Sequence, residues 1–213
     1  MKKSFSILTA ALLMLLVTPA FAQVSLGVGY VNSTDRIKSG NTEAQATASN
    51  GIYAGLGFHM PIAGDLSFTP GVYYTYLSNR NASSTAGGLI SASGELKEHY
   101  LTVPLHFDYG AEILPNFRLF FFAGPGVSVG LASNTVLSAS IAGISGNTSF
   151  DNYKDGTGYG RWDIQLGGGM GIDLAHRLRL KVGYDFGMLN RYTDSQNISR
   201  HRNQLHAGIA FLF

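Results

Sequence analysis

The sequence has 213 residues, with 15 Lys and Arg against 13 Asp and Glu, and only 13% of the residues are charged. This near balance excludes the strongly basic surface that binds polyanions, so no nucleic-acid partner is expected. The chain contains no cysteine, which excludes a disulfide framework and a thiolate metal site.

The first element in the chain is a predicted secretory signal peptide over residues 1–22. It begins with two lysines, continues with an apolar run and ends in the small-x-small pattern Ala20-Phe21-Ala22. An N-terminal membrane anchor is the alternative, but the apolar run is shorter than the roughly 20 residues that a spanning helix needs. Cleavage after Ala22 leaves a single domain, 23–213, in which basic and acidic residues balance.

Alternation of bulky apolar residues with small ones recurs along this domain. In the first such stretch Leu26, Val28 and Tyr30 share one face, whereas Gly27 and Gly29 share the other. Most of these stretches have about 9–11 residues or more, the length that a tilted strand needs to cross a bilayer. The eight predicted strands cover 24–30, 52–60, 66–76, 100–109, 118–131, 161–174, 178–188 and 204–213.

The connections between these strands alternate in length, which places both ends of the domain beside the short turns. This asymmetry predicts an all-β fold, an eight-stranded antiparallel up-and-down transmembrane β-barrel with four extracellular loops and periplasmic termini. A soluble lipocalin-like barrel or sandwich is the alternative fold. The short links are 61–65, 110–116 and 175–177, and the long polar links are 32–51, 78–95, 132–158 and 190–202.

The apolar face carries aromatic residues at both ends, which predicts two belts at the membrane interfaces. Three prolines, Pro70, Pro104 and Pro125, predict bulges or strand ends because proline lacks a ladder donor. The belt toward the long loops contains Tyr30, Tyr74, Tyr76 and Trp162, and the belt toward the short turns contains Phe58, Phe68, Phe107, Tyr109, Phe211 and Phe213.

Charged residues on the opposite, small face predict a polar network inside the barrel. Because eight strands enclose little space and the two signs are nearly equal in number, we expect a plugged lumen rather than a solute path. The expected members are Glu98, Asp108, Asp163, Asp173, Asp185, Arg118, Arg161, Arg179 and Lys181, with His59, His106 and His206 as further hydrogen-bonding groups.

The last eight residues form an alternating strand that ends on an aromatic side chain. The pattern of His206, Gly208, Phe211 and Phe213 resembles the C-terminal β-signal that the outer-membrane barrel-assembly machinery reads. We therefore expect that machinery to be a partner during insertion.

Two further stretches, YLTVPL (100–105) and FAGPG (122–126), are similar to motifs of porin-family outer-membrane β-barrel domain proteins. The size is comparable to that of small OmpA/OmpX-type barrels. The resemblance implies an eight-stranded barrel in the outer membrane of a Gram-negative cell. Thr102 stands where that family commonly has an acidic residue, so the resemblance does not imply an ionic role for this position.

The function expected from these features is a structural or interaction role in the cell envelope. A channel for small solutes or ions is one alternative, and a lipid-modifying envelope enzyme is another. Catalysis has little support because Glu98 and His99, the candidates near a rim, are strand neighbours that point to opposite faces. We expect no cofactor or metal, a monomer, outer-membrane lipopolysaccharide and phospholipid as surroundings, and any extracellular ligand at the loops.

Overall fold

Alternating bulky and small residues form long antiparallel strands in a computed structural model, which describes residues 23–45, 48–85, 90–141, 144–154, 159–192 and 198–213. The predicted signal peptide lies outside the described residues. The strands are β1 (Gln23–Ser39), β2 (Thr42–Gln45), β3 (Ser49–Ala63), β4 (Leu66–Thr85), β5 (Ile90–Leu114), β6 (Phe117–Ile141), β7 (Ile144–Asp151), β8 (Trp162–Leu174), β9 (Leu178–Gly187) and β10 (Ile198–Leu212).

Eight of these strands close into a ring in the order β1-β3-β4-β5-β6-β8-β9-β10. The last strand returns to the first in antiparallel register, from Ser25 opposite Leu212 to Ser39 opposite Ile198. Closure leaves no open edge within the ring, so the backbone groups of each strand find partners on both sides. The predicted eight-stranded up-and-down barrel is confirmed.

The bulky side chains point outward and the small ones point into the ring, as predicted. Leu166, Val182 and Ile209 are 53%, 44% and 43% exposed on the outer surface. On the inner face, a Cβ added at Gly183 would lie 2.6 Å from the ring of buried Phe122. The small inner residues therefore make room for a few large side chains in the interior.

The strands are longer than predicted, and this is the main correction to the fold. β5 and β6 have 25 residues each, and strand structure occupies much of 32–51, 78–95 and 132–158. Alternation of apolar with small residues marks only the part of a strand that has one apolar face. Beyond that part both faces are polar, so Ser- and Asn-rich sequence resembles a loop although it forms a ladder.

The predicted bulges at Pro70, Pro104 and Pro125 are wrong. Register shifts occur elsewhere, between Pro61 and Ala63 and at two places in the β5–β6 pair. The register is the same on both sides of the three prolines. A proline removes one hydrogen-bond donor but adds no residue. One ladder is therefore interrupted at each proline, β3–β4 at Pro70, β4–β5 at Pro104 and β5–β6 at Pro125, and the pairing resumes in phase.

Three strands of the ring continue past it, and β7 joins them in a four-stranded extension that we call the projecting sheet. It comprises 79–85 of β4, 90–96 of β5, 134–141 of β6 and the whole of β7. Pairing of β4 with β3 ends at Ser78, and from Asn134 onward β6 pairs with β7. The sheet thus extends from the long-loop end of the barrel. In the described part of the chain, no helix has the length and apolar character needed to cross a membrane.

Candidate functional site

The interior near the short turns holds a network of two arginines and two aspartates. Arg179 donates to Asp173 from Nε at 2.7 Å and from Nη2 at 2.9 Å, and to Asp108 from Nη1 at 3.1 Å. Arg118 donates to the same Asp173 at 3.1 Å. The guanidinium of Arg179 also lies 4.4 Å from the ring centroid of Phe120. Each of these charges therefore has a partner of opposite sign, and the guanidinium of Arg179 also packs on the Phe120 ring.

The middle of the interior is filled by aromatic and titratable side chains. His206 Nδ1 lies 3.1 Å from Asp185 Oδ2. Lys181 Nζ lies 5.0 Å from the centroid of Tyr73, whose ring packs edge-on to Tyr53 at 5.8 Å. The amine thus faces a ring surface that attracts cations.

The interior near the long loops is organised around Glu98, which is 1% exposed. One carboxylate oxygen accepts hydrogen bonds from Tyr100 Oη at 2.6 Å, Tyr159 Oη at 3.1 Å and Ser133 Oγ at 3.2 Å. The other oxygen accepts from Arg202 Nη2. A buried carboxylate with this many donors is satisfied without water.

Three arginines surround this carboxylate. Arg202 bridges to Asp35 at 3.4 Å, and Arg200 Nε donates to Asp35 at 2.7 Å. Arg191, which is 1% exposed, donates to Tyr100 Oη at 2.8 Å. Burial raises the pKa of Tyr159, beside Arg191, to about 12, and the nearby Glu98 carboxylate adds to the effect. The phenol therefore stays protonated and remains a donor at physiological pH.

Positive and negative charges balance through the described interior, with six of each sign. Four of the acids pair directly with the five arginines, and Asp185 pairs with His206. Because an unpaired buried charge is costly, this pairing indicates a structural network rather than an ion path. The acids are Asp35, Glu98, Asp108, Asp163, Asp173 and Asp185, and the bases are Arg118, Arg179, Lys181, Arg191, Arg200 and Arg202.

Little free space remains in the middle of the interior and near the short turns. One cavity of about 40 Å³ adjoins His59 and His106, and one of about 60 Å³ adjoins Tyr53 and Lys181. A water needs roughly 10–15 Å³ of such volume, so each cavity holds only a few waters. Larger cavities of about 260 and 300 Å³ lie at the long-loop end around Arg200. They form a vestibule above the packed interior.

The chain thus forms a closed barrel with an apolar exterior and a charged interior. Residues 20–192 match the family described as "Outer membrane protein beta-barrel domain". The chain belongs to this family. No curated protein matches the sequence of this outer-membrane barrel.

Solved structures similar to this outer-membrane barrel share its fold class at low identity. Neisserial surface protein A is 16% identical, with 88% of this chain and 97% of that chain covered and a TM-score of 0.44. The attachment invasion locus protein Ail of Yersinia pestis is 14% identical, with 90% and 99% covered and a TM-score of 0.40. The outer-membrane enzyme PagL is 13% identical, with 84% and 97% covered and a TM-score of 0.41. Sequence identities and TM-scores this low say nothing about the function of this chain.

Most charged residues predicted for the lumen of this outer-membrane barrel lie inside it. The prediction is wrong for Arg161, which is exposed and precedes β8. Its guanidinium lies 4.5 Å from the ring centroid of Tyr153. The inward alternation does not apply to Arg161 because the β6–β8 ladder ends at Trp162. The structure places Glu98, Asp108, Asp163, Asp173 and Arg179 in buried positions and Arg118, Lys181 and Asp185 in half-buried ones.

Sequence reasoning missed four members of the network, Asp35, Arg191, Arg200 and Arg202. The inward alternation of β1 continues through Ser33 to Asp35, and that of β10 continues from His206 to Arg202, so a signal was present. Both stretches fall in predicted loops because the alternating apolar residues end before them. Arg191 follows the end of β9 and has no periodic signal.

The predicted belt residues lie on the outer surface of the outer-membrane barrel. At the long-loop end Tyr76 is half-buried against His99, with ring centroids 5.1 Å apart. At the short-turn end Phe107 packs on Phe68 at 5.1 Å. The exposed members are Tyr30, Tyr74, Trp162, Phe107, Tyr109, Phe211 and Phe213.

The C-terminal residues divide between the two faces of β10. Phe211 and Phe213 are 43% and 71% exposed, and their rings lie 5.0 Å apart. His206 is buried, and a Cβ added at Gly208 would lie 2.0 Å from Tyr53 Oη. Their role as an assembly signal stays a prediction. Among the residues that the structure describes, no three His, Asp or Glu side chains are grouped to hold a metal ion.

Proposed function

We propose that this outer-membrane protein has a structural and recognition role in the cell envelope. In this proposal the barrel is a sealed anchor that is monomeric within its own membrane, its termini are periplasmic, and the long-loop end with the projecting sheet is extracellular. The observation that carries the proposal is the balanced ion network across the interior. It is centred on Arg179 near the short turns and on Glu98 near the long loops. Lipopolysaccharide and phospholipid surround the barrel, and the barrel-assembly machinery inserts it.

The network argues against the channel alternative. A solute crossing the lumen would have to separate pairs such as Arg179 with Asp108 and Arg202 with Glu98. Removing one partner of a buried ion pair typically costs about 3–5 kcal/mol. Spontaneous opening along the whole interior would break several such pairs together.

The enzyme alternative also lacks support in the geometry. Glu98 is buried among hydrogen-bond donors inside the barrel, whereas His99 lies on the outer face against Tyr74 and Tyr76. A buried acid and a histidine on opposite sides of one strand do not act on one substrate. We therefore propose a non-enzymatic function.

Planar-bilayer recording of the purified protein tests the sealed lumen. We expect no stable conductance steps with the native protein. Replacing both Arg202 and Glu98 by Ser removes one pair of the plug and serves as a matched variant that should conduct more often. Sizeable, stable conductance steps with the native protein would establish a channel. The enzyme alternative has a test of its own, the mass of lipid A in cells that express the protein, and a changed mass would establish an enzyme.

A further inference from the structure

The outer strand of the projecting sheet, β7, has an open edge. β7 (Ile144–Asp151) pairs with β6 on one side, and on its other side it pairs with no strand of the described chain. Seven of its eight residues are exposed. Such an edge presents backbone N–H and C=O groups in the geometry that accepts another strand.

Residues 144–150 of this edge carry none of the features with which natural sheets protect an edge. The stretch 144–150 contains no charged residue and no proline. Edge strands are usually blunted by charges, prolines, bulges or short length. The other strand outside the ring, β2, has only four residues, and its Glu43 pairs with Arg36 at 2.9 Å. β7 is thus long and open, and it is uncharged up to Asp151 at its end.

The two faces of β7 differ in polarity. Ile144 and Phe150 lie on one face, and the register joins this face to Leu137 of β6. These three side chains are 81%, 39% and 49% exposed. Ser145, Asn147 and Ser149 lie on the opposite face. The open edge therefore borders an apolar surface that has no cover among the described residues.

We propose that β7 pairs in antiparallel fashion with β7 of a second copy of this protein, which is the partner of the recognition role proposed above. With Asn147 opposite Asn147 of the second copy, Ile144 lies opposite Phe150 of the second copy and the reverse. A two-fold axis normal to the sheet keeps apolar faces together, so both apolar pairs form on one side. Ser145 and Ser149 meet on the polar side. The strand is complementary to itself.

The antiparallel direction determines where the second copy lies. β7 runs from the tip of the projecting sheet back toward the barrel, so all copies in one membrane run in the same sense. An antiparallel partner must therefore come from a facing membrane. With the projecting sheet extracellular, as proposed, the contact joins two cells. A single strand pair is a small interface, and many copies across two membranes add up through avidity.

Clustering of phosphatidylcholine vesicles that carry the full-length protein tests this pairing. Reconstitution by detergent removal exposes the projecting sheet on part of the molecules. Two vesicle populations carry different fluorophores, and co-clustering is read by fluorescence cross-correlation. We expect co-clustering with the native protein and none with empty vesicles.

Charge variants test the register. Ile144→Lys and Phe150→Glu each place a charge on the apolar side of the pair, and each is expected to abolish clustering of vesicles that carry that variant alone. Mixing the two populations is expected to restore co-clustering, because the introduced lysine and glutamate then oppose each other while Phe150 and Ile144 of the respective copies still meet. Ser145→Lys, on the polar face, is the control and is expected to cluster like the native protein.

The outcomes separate this proposal from the proposed function. If native vesicles do not cluster, or both charge variants cluster like the native protein, or the mixture does not restore clustering, the β7 pairing is overturned. The sealed-barrel role stands in each of these cases if the same vesicles show no conductance. Heat-modifiable gel migration of every variant shows that the barrel is folded, so loss of clustering reports on the edge.

Discussion

Glu98 and Arg202 stand 104 positions apart in the chain, and their side chains form an ion pair inside the barrel. They are 1% and 3% exposed. The pair joins β5 to β10 across the interior, so it ties the first half of the ring to its closing strand. This interior ion pair therefore contributes to holding the barrel together.

Glu98→Gln is expected to destabilise the barrel strongly. The substitution keeps the shape but removes the carboxylate that Arg202 and Arg191 share, and leaves Asp35, at 3.4 Å, as the remaining acid beside Arg202. Breaking a buried ion pair in this way costs about 3–5 kcal/mol. Urea titration followed by heat-modifiable gel migration measures the loss. Glu95→Gln is the control, since Glu95 pairs with Lys97 on the surface, where such pairs contribute about 0–1 kcal/mol. Equal effects of the two substitutions would refute the structural role of Glu98.

A charge on the outer face is expected to destabilise the barrel only where lipid covers that face. Val182→Lys lies in β9 on the exposed apolar surface and is expected to cost about 2–4 kcal/mol in lipid vesicles. Asn134→Lys lies on the exposed surface of the projecting sheet and is expected to change the unfolding free energy by less than about 0.5 kcal/mol. Similar stabilities of these two variants would contradict the assigned membrane surface.

Gly208→Ala is expected to impair folding through a contact inside the barrel. Its Cβ would lie 2.0 Å from Tyr53 Oη and 2.7 Å from Val28 O, an overpacking that costs about 1–3 kcal/mol. Gly126→Ala is the control, because the nearest atom there, Pro104 Cα, is 3.6 Å away. Refolding yield in detergent measures both. Normal refolding of Gly208→Ala would show that the close contact with Tyr53 is tolerated.

Phe213→Ala is expected to act on assembly rather than on the folded state. Phe213 is 71% exposed, so its removal leaves the interior unchanged. We expect normal refolding of the purified variant in detergent but a several-fold loss of folded protein in cells. Tyr109→Ala, another exposed aromatic residue of the same belt, is the control and is expected to assemble normally. Normal assembly of Phe213→Ala in cells would remove the β-signal interpretation.

Alternation alone predicted the ring, because a strand with lipid on one side and a crowded lumen on the other must separate large from small residues. It also indicated that Arg179 and Asp173 point inward. It failed for Asp35 and Arg202, since beyond the bilayer both faces are polar and the contrast disappears. The extra length of β5 and β6 was missed for the same reason.

The pairing of inward charges was beyond sequence reasoning. Asp108 meets Arg179 across 71 positions because ring closure and strand stagger bring β5 and β9 to face each other. Alternation gives the face of each residue but not its height in the barrel. Arg191 lies outside any strand, so its burial depends wholly on how the chain after β9 folds over the lumen.

Single-cysteine scanning along β9 tests the central claim, the inside-out orientation, most directly. The chain has no native cysteine, so Lys181→Cys, Val182→Cys, Tyr184→Cys and Asp185→Cys each carry one label site. With a fluorescent label in vesicles of brominated lipid, we expect strong quenching at 182 and 184 and weak quenching at 181 and 185. Quenching that is strong at 181 and 185 and weak at 182 and 184, or equal at all four, would contradict the account.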